Sequence, residues 1–316
     1  MPLRGRFLKS SIFNSVEEMT ENEQLTVYHK PVLYREIIDY IREVYHEGDI
    51  IVDSTCGEGG HSALFLSEFP GRVVSFERDA EILSRAKNRL SEYAGRVDFI
   101  NDNFSATDNL SPYKDKVAAI LYDFGISSYH FDASARGFSV KDKNLDMRLD
   151  PGCRRSAEEI VNYAPESELA DIFFYYGEER HSRRIARYIA EARKKTRIET
   201  AEELSSIVMR ALKPKGYSQI HPATRIFQAL RIAVNSELDH IEKALNASWE
   251  YLRPGGIILA MSFHSLEDRI AKNIFRKLSS DGIVEIITKK PVIPQDDEIK
   301  VNPRSRSAKI RVCKKL

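Results

Sequence analysis

Short apolar runs alternate with amphipathic stretches in the N-terminal part of the chain. Each run is rich in β-branched or aromatic residues and has the length of a buried strand. The runs span residues 49–53, 72–76, 97–100 and 117–122. Stretches with helical spacing of apolar residues follow the first run at 63–66 and the second at 79–93. This alternation predicts a parallel sheet with crossover helices.

The alternation stops between about residues 133 and 217, where the pattern indicates no strand. Helices are predicted there over residues 156–163, 166–176, 178–195 and 200–212. Two of them begin with capping-box spacing, in which Ser156 precedes Glu159 and Thr200 precedes Glu203. We therefore interpret residues 133–217 as an inserted all-helical domain that recognises the substrate.

The strand pattern returns in the C-terminal third of the chain. The predicted elements are a long helix over about 222–252, a strand over 257–261 and a helix over 266–278. Two final runs, 283–288 and 308–313, are predicted to pair as an antiparallel hairpin. The fold class is therefore α/β, with a mostly parallel sheet formed by residues 29–132 and 218–316. Residues 1–28 are interpreted as an N-terminal extension.

The amino-acid composition limits the classes of protein to which this chain can belong. Hydrophobic residues make up 42% and charged residues 30% of 316 residues, which is typical of a soluble globular protein. No apolar run reaches the ~18–20 residues of a membrane span. The three cysteines are far apart, which argues against a disulfide framework and favours a reducing cytoplasm. The net charge of +1 means that any binding of a polyanion must rest on local basic patches.

A glycine-rich turn, Gly57-Glu58-Gly59-Gly60-His61-Ser62, follows the first predicted strand and opens a helix. Helix N-termini present free N–H groups, and glycines let a ligand approach the backbone, so Gly57, Gly59, Gly60 and His61 are candidate ligand contacts. The spacing is not that of a dinucleotide fingerprint, and a tight strand-to-helix turn is the alternative. Glu77 ends the second run at the distance where doubly wound folds place an acid that binds a ribose diol. A solvated surface acid is its alternative.

An adenosine-containing cofactor is indicated, either a dinucleotide or S-adenosylmethionine. Asp123 ends the fourth run and would face the same edge of the sheet. The predicted hairpin and an acid at this place both favour S-adenosylmethionine and transfer of its methyl group to an amine. An exocyclic base amine is a poor nucleophile, so the site must align it and accept its hydrogen bonds, which Asp123 could do. This chemistry requires no metal, and the sequence suggests no metal cluster. Aromatic residues that could stack on the base, or belong to the core, are Tyr129, Phe131 and Phe138.

The chain resembles the bacterial 16S ribosomal RNA cytosine-N4-methyltransferases from His29 onward. The first matching strings are His29-Lys30-Pro31-Val32-Leu33, the glycine-rich turn, Asp123 to Ser128, Arg136-Gly137-Phe138-Ser139 and Leu145-Asp146-Met147-Arg148. The others are Tyr176 to Arg180, His221 to Arg225, Ser262 to Arg269 and Asn302 to Ser307. The family usually has Asp where this chain has Glu77, and Pro where it has Tyr129.

The resemblance implies a class I, Rossmann-like methyltransferase fold, S-adenosylmethionine as cofactor and methylation of a cytosine near the decoding centre of the small ribosomal subunit. The implied cofactor contacts are Gly59, Gly60, His61, Glu77, Phe104, Asp123 and His130. The candidate catalytic residues are Asp123, Ser127 and His264. The partner would be ribosomal RNA or a ribosomal particle in the cytoplasm, and a homodimer is left open.

Arginines at helical spacing are candidate RNA contacts. Arg180, Arg183, Arg184 and Arg187 would share one helix face, and Arg304 and Arg306 flank the last predicted strand. The alternative for the helix face is a solvated surface paired with nearby glutamates.

Three other functions remain open from the sequence. A DNA amino-methyltransferase could use the same site, and activity on duplex DNA would distinguish it. A non-enzymatic RNA-binding factor could retain the fold without binding the cofactor. A nicotinamide-dependent dehydrogenase is disfavoured by the glycine spacing.

Overall fold

The computed structural model describes residues 31–132, 135–150, 152–213 and 221–316. The interpreted N-terminal extension, and His29 and Lys30 of the first matching string, lie outside the described residues. No helix in the described ranges is both long enough and apolar enough to cross a membrane.

Seven strands form a single sheet within the described part of the chain. They are β1 (Ile50–Asp53), β2 (Arg72–Phe76), β3 (Val97–Ile100), β4 (Val117–Asp123), β5 (Leu252–Ser262), β6 (Val284–Ile286) and β7 (Lys309–Lys315). Their order is β3-β2-β1-β4-β5-β7-β6. The first five are parallel, whereas β7 runs antiparallel to both β5 and β6. The predicted class I methyltransferase sheet with its antiparallel hairpin is confirmed.

Helices cover the two faces of the sheet, and further helices make up much of the segment between β4 and β5. In the first half they are α1 (Tyr34–Val44), α2 (Gly60–Glu68), α3 (Ala80–Arg89), α4 (Ser128–Asp132), α5 (Ala157–Tyr163) and α6 (Glu166–Tyr175). In the second half they are α7 (Ser182–Arg193), α8 (Ala201–Leu212), α9 (Thr224–Asn235), α10 (Glu237–Ala247), α11 (Ser265–Ser280) and α12 (Asp296–Val301). Both predicted capping boxes are present, at α5 and α8.

Three apolar clusters stabilise the fold. Two of them pack on opposite faces of the sheet, and the third lies among the helices. The third cluster includes residues of α5 to α8 together with α9, so the helices in the middle of the chain share one core with a helix beyond residue 217. Strand β4 is buried at every position from Val117 to Tyr122. Because both of its faces are covered, its sequence is apolar throughout and does not alternate.

Two predicted helices are wrong in extent. The long helix over 222–252 is broken at Ser236, whose backbone is left-handed with φ of 49°. The helix predicted over 178–195 begins only at Ser182, because Glu178 is also left-handed with φ of 48°. Arg180 therefore lies in the turn before α7 and not on its face.

Asn235 explains the break between α9 and α10. Its Nδ2 donates to the carbonyls of Met147 at 2.8 Å and Arg231 at 2.9 Å, and its Oδ1 accepts from Leu149 N–H at 3.0 Å. The side chain is 2% exposed. It thus fixes the loop before α5 against the C-terminus of α9.

Replacing Asn235 by alanine should lower the free energy of unfolding by about 2–3 kcal/mol. The reason is that the Leu149 N–H and Met147 carbonyl would remain buried without partners. Urea unfolding measures this difference. Asn246→Ala is the matched control, because Asn246 donates one hydrogen bond on an exposed helix surface. Equal, small losses in the two variants would contradict the role given to Asn235.

Candidate functional site

A cavity of about 740 Å³, called the main cavity here, opens at the carboxyl ends of β1, β2 and β4. Ligands bind at this edge of open α/β sheets. The predicted site residues among those lining it are Gly57, Gly60, His61, Glu77, Phe104, Asp123, Ser127, His130, His264 and Arg304. Residues that lie at or after the ends of five different strands are therefore brought together.

Gly59 has a different position from its neighbours. It is not among the residues lining the main cavity, and it precedes α2 with φ of 82°. A Cβ there would lie 3.1 Å from Leu90 Cδ1. Gly59 is thus required for the conformation of the turn and for packing against the C-terminal end of α3.

Glu77 braces the glycine-rich turn. Its carboxylate accepts hydrogen bonds from Gly57 N–H at 3.0 Å and from Asp79 N–H at 2.8 Å. Burial raises the pKa of Glu77 to about 7, despite these two donors. The acid predicted to bind a ribose therefore also joins the end of β2 to the turn after β1.

Asp123 carries an acceptor without a donor. Its N–H donates to Thr55 Oγ1 at 2.7 Å, which holds the end of β4 beside β1. Its Oδ1 is buried and has no hydrogen-bond partner in the described part of the chain. Burial, followed by the negative charges of Asp53 and Glu267, raises the pKa of Asp123 well above its usual range. A buried oxygen of this kind is expected to have a donor, which a ligand could supply.

His61 approaches the same carboxylate from α2. Its Nε2 lies 3.2 Å from the carbonyl of Val32, which can only accept, so Nε2 carries the proton. Its Nδ1 lies 3.6 Å from Asp123 Oδ2. The ring is 6% exposed, so the surrounding residues fix the positions of both ring nitrogens.

Aromatic residues form the wall beyond Glu77. Phe104 follows β3, and its ring lies 5.7 Å from the ring of Tyr122 and 6.1 Å from that of Phe124. It is partly exposed and lines the main cavity. This placement suits a flat apolar ligand such as a purine.

Asp79 fixes the loop after β4 to the start of α3. Its Oδ1 caps α3 at Glu81 N–H, while its Oδ2 lies 3.2 Å from His130 Nε2 and 2.5 Å from Arg136 Nη1. Burial would raise the pKa of Asp79, but the hydrogen bonds from His130 and Arg136 and the charge of Arg136 hold it well below its usual range. This acid was not predicted as a site residue.

Tyr129 is held by the same turn of α3. Its hydroxyl donates a short hydrogen bond to Glu81, and the guanidinium of Arg85 lies 3.9 Å from the centre of its ring. Ser127 Oγ accepts from Tyr129 N–H at 3.2 Å. Two partners of Tyr129, Glu81 and Arg85, therefore lie outside the lining of the main cavity.

His264 lies at the N-terminus of α11. Its Nε2 is 2.9 Å from Glu267 Oε1, and its ring caps the helix at Glu267 N–H. Glu237, His264 and Glu267 bring ligand atoms within 4.8 Å of one another, although the sequence suggested no such cluster. Arg231 donates two hydrogen bonds of 2.9 Å to Glu237, so a guanidinium already supplies positive charge there.

The MraW methylase family matches residues 26–316. This chain belongs to that family. A ribosomal RNA small subunit methyltransferase H from Leptospira interrogans is 47% identical over 296 residues, covering 91% of this chain and 89% of the relative. The protein of that name from Sulfurihydrogenibium azorense is 44% identical over 295 residues, covering 92% and 100%.

Among solved structures, a putative rRNA methylase from Clostridium thermocellum is similar with a TM-score of 0.45 and 13% identity, covering 92% of this chain and all of that one. A putative methyltransferase from Streptococcus mutans in complex with SAH has a TM-score of 0.44 and 12% identity, with 92% and 100% coverage.

The predicted RNA contacts of this MraW-family chain are dispersed. Arg183 and Arg187 are exposed on α7, whereas Arg184 is partly buried beside Tyr188. None of these three lines the main cavity, and neither does Arg180. Arg304 lines the main cavity, and Arg306 is exposed in the same turn before β7.

Several site residues were missed by the sequence reasoning. They are Thr55, Asp79, Arg136, Arg231 and Glu267. Arg136 and Glu267 were within strings that match the family, but no chemistry was assigned to them. Their roles depend on contacts with residues distant in sequence.

Asp79→Asn should lower the free energy of unfolding by about 2–4 kcal/mol near neutral pH, because it removes the charge that pairs with Arg136 and His130. An acid whose folded pKa is depressed stabilises above its unfolded pKa of about 3.9. The difference between wild type and variant should therefore shrink as pH falls below about 4. Urea unfolding over a pH series checks both statements.

Glu81→Gln provides the control for this series. Glu81 pairs with Arg136 at 2.7 Å but is 49% exposed, so its loss should cost less than about 1 kcal/mol. If Glu81→Gln lowered the free energy of unfolding as much as Asp79→Asn does, the exposed pair of Glu81 and Arg136 would carry the stabilisation. That result would contradict the role given to Asp79.

Proposed function

We propose that this chain transfers the methyl group of S-adenosylmethionine to the exocyclic N4 amine of a cytosine in small-subunit (16S) ribosomal RNA, near the decoding centre. The observation that carries the proposal is Asp123 Oδ1, which is buried in the main cavity beside the glycine-rich turn and has no hydrogen-bond partner among the described residues. The relatives named ribosomal RNA small subunit methyltransferase H support the RNA substrate.

The residues of the main cavity fit S-adenosylmethionine. Glu77 would accept hydrogen bonds from the ribose hydroxyls, Phe104 would pack on the adenine, and the turn at Gly57 and Gly60 would meet the methionine end. When bound, the cofactor supplies an electrophilic methyl group on a cationic sulfur. Acids with raised pKa values suit such a ligand, because a nearby positive charge favours their ionised forms.

Asp123 would hold the amine. Its Oδ1 accepts an N–H hydrogen bond from N4, which directs the nitrogen lone pair toward the methyl group. Thr55 fixes the backbone of Asp123, and the His61 ring restricts its other oxygen. Ser127 and His264 line the same cavity and are proposed to contact the base.

The helical region would supply the RNA side of the site. Phe138, Met147 and Phe227 line the main cavity and belong to the helical core. We propose that residues 133–217 recognise the RNA or a ribosomal particle. We also propose that the protein acts in the cytoplasm. Sedimentation would test whether it forms a homodimer.

Asp123→Ala should reduce methyl transfer by at least about 100-fold, since a preorganised acceptor at the reacting group is removed. Stability should not fall, because the substitution removes a buried acid that burial disfavours as an anion. Mass spectrometry of ribosomal RNA incubated with the variant measures the transfer.

Asp115→Asn is the matched control for this test. Asp115 is exposed with φ of 63°, a conformation that Asn tolerates, and it is remote from the lining of the main cavity. Full activity of the Asp123 variant would remove Asp123 from its role. Methylation of duplex DNA and not of ribosomal RNA would favour the DNA alternative.

Affinity for S-adenosylmethionine should rise about tenfold between about pH 6 and about pH 8. With a pKa of about 7, Glu77 is mostly protonated at the lower pH and mostly ionised at the higher one. The ionised form accepts both ribose hydroxyls and favours the cation. Calorimetry over this range should show the rise in wild type and a flat profile in Glu77→Gln. The same rise in that variant would assign the titration to another group.

A further inference from the structure

A second cavity, of about 390 Å³, lies beside the main cavity. Arg78 and His240 line both cavities, so the two cavities share part of a wall. The other walls are formed by Asp150, by residues 152–155 and by the junction of α9 and α10. We call it the arginine cavity, because Arg78, Arg154 and Arg155 line it.

The arginine cavity has an excess of positive charge. Asp150 is the single carboxylate among its lining residues in the described chain, against three guanidinium groups. Asp150 lies 3.7 Å from Arg78, and Arg155 pairs with Glu168 at 2.5 Å. Arg154 is exposed and has no ion pair within the ranges that the structure describes. Its charge is therefore available to a ligand.

Arg78 carries an unmet donor at this wall. Its Nε is buried and finds no acceptor among the described residues. Its Nη2 donates to the weak acceptor Cys153 Sγ at 3.3 Å and lies 3.7 Å from Asp150 Oδ2. A buried guanidinium N–H normally has an acceptor, and an anionic oxygen would provide one.

The cavity is held in shape before any ligand enters. Asn235 fixes Met147 and Leu149, and Gly152 N–H donates to Asp150 Oδ1 at 2.6 Å. Helix α10 starts at this wall, and no side chain in the described ranges caps its N-terminus. Burial lowers the pKa of His240, and the positive charge of Arg78 lowers it further. The effect of Arg78 agrees with a positive local potential.

We propose that the arginine cavity binds a backbone phosphate of the RNA strand whose base enters the main cavity. The inference rests on the proposed function. A base drawn out of its stack leaves its flanking phosphates at the mouth of the pocket, and arginine forks match phosphate oxygens. The shared wall at Arg78 and His240 places the phosphate next to the bound nucleoside. The exposed arginines of α7 have no such link to the main cavity.

The test compares binding of small ribosomal subunits from cells lacking this protein to labelled wild type, Arg154→Gln and Arg154→Glu. The salt concentration is varied from about 50 to about 200 mM. Loss of one phosphate contact should weaken binding by about three- to tenfold and reduce the salt slope by about 0.7–0.9. Arg154→Glu should lose more, and affinity for S-adenosylmethionine should stay unchanged in both variants.

Arg276→Gln is the matched control, because Arg276 is exposed on α11 and lines neither cavity. An equal effect in this control would mean that only net charge matters, which would overturn the proposal. Unchanged affinity and slope in both Arg154 variants would overturn it as well.

Failure of the proposed function gives a different result. If wild type neither binds subunits nor methylates their RNA, the RNA source of the phosphate is rejected. Inorganic phosphate then tests the cavity by itself. Broadening of its ³¹P signal by wild type and not by Arg154→Glu would assign a small-anion site, and equal signals would reject any anion site.

Discussion

The carboxylate of Asp79 joins the three segments on which the main cavity depends. It caps α3 through one oxygen and pairs with His130 and Arg136 through the other. The backbone N–H of the same residue donates to Glu77, which in turn holds the glycine-rich turn at Gly57. The end of β2, the start of α3 and the loop after β4 are therefore positioned by one acid. Because Asp79 is 4% exposed, solvent cannot easily replace these contacts.

Four acids in and around the main cavity, Glu77, Asp79, Asp123 and Glu267, divide into two groups by their partners. Burial raises the pKa of every one of them, but His130 and Arg136 lower that of Asp79, and His264 and Arg231 lower that of Glu267. For Glu77 and Asp123 the neighbouring described groups do not offset burial, and their pKa values stay raised. Both of these acids line the main cavity. Divergent pKa values of this kind are typical of functional sites. A cationic cofactor would restore the balance of charge.

The sheet could be predicted from sequence because its strands are buried on both faces. Runs such as Val117 to Tyr122 remain apolar at every position, and Asp123 marks the point where the strand meets the main cavity. The break at Ser236 could not be predicted, since Asn235 forms it with partners at Met147 and Leu149, more than 80 residues away in the chain. Local periodicity across that junction remains helical on both sides.

The start of α7 likewise could not be predicted from the local sequence pattern. Glu178 accepts hydrogen bonds from Ser265 at 2.5 Å and Arg269 at 2.8 Å, so it belongs to a contact with α11 and not to the helix that its neighbours suggest. That contact ties the helical core to the helix that begins beside His264. The meeting of Glu77 and Asp123 at the main cavity could be predicted, because each lies at the carboxyl end of a parallel strand. The start of α7 depends on long-range contacts and could not.

Glu77 and Tyr129, the two residues expected to differ from the family's usual ones, both contact the start of α3. Glu77 accepts from Asp79 N–H, and Tyr129 donates to Glu81, so both side chains reach the first turn of α3. Arg136 pairs with Asp79 and with Glu81 there, joining the two contacts. The Glu77 carboxylate and the Tyr129 hydroxyl thus act on the same turn. A change at either residue would therefore alter the support of the loop that carries Ser127 and His130.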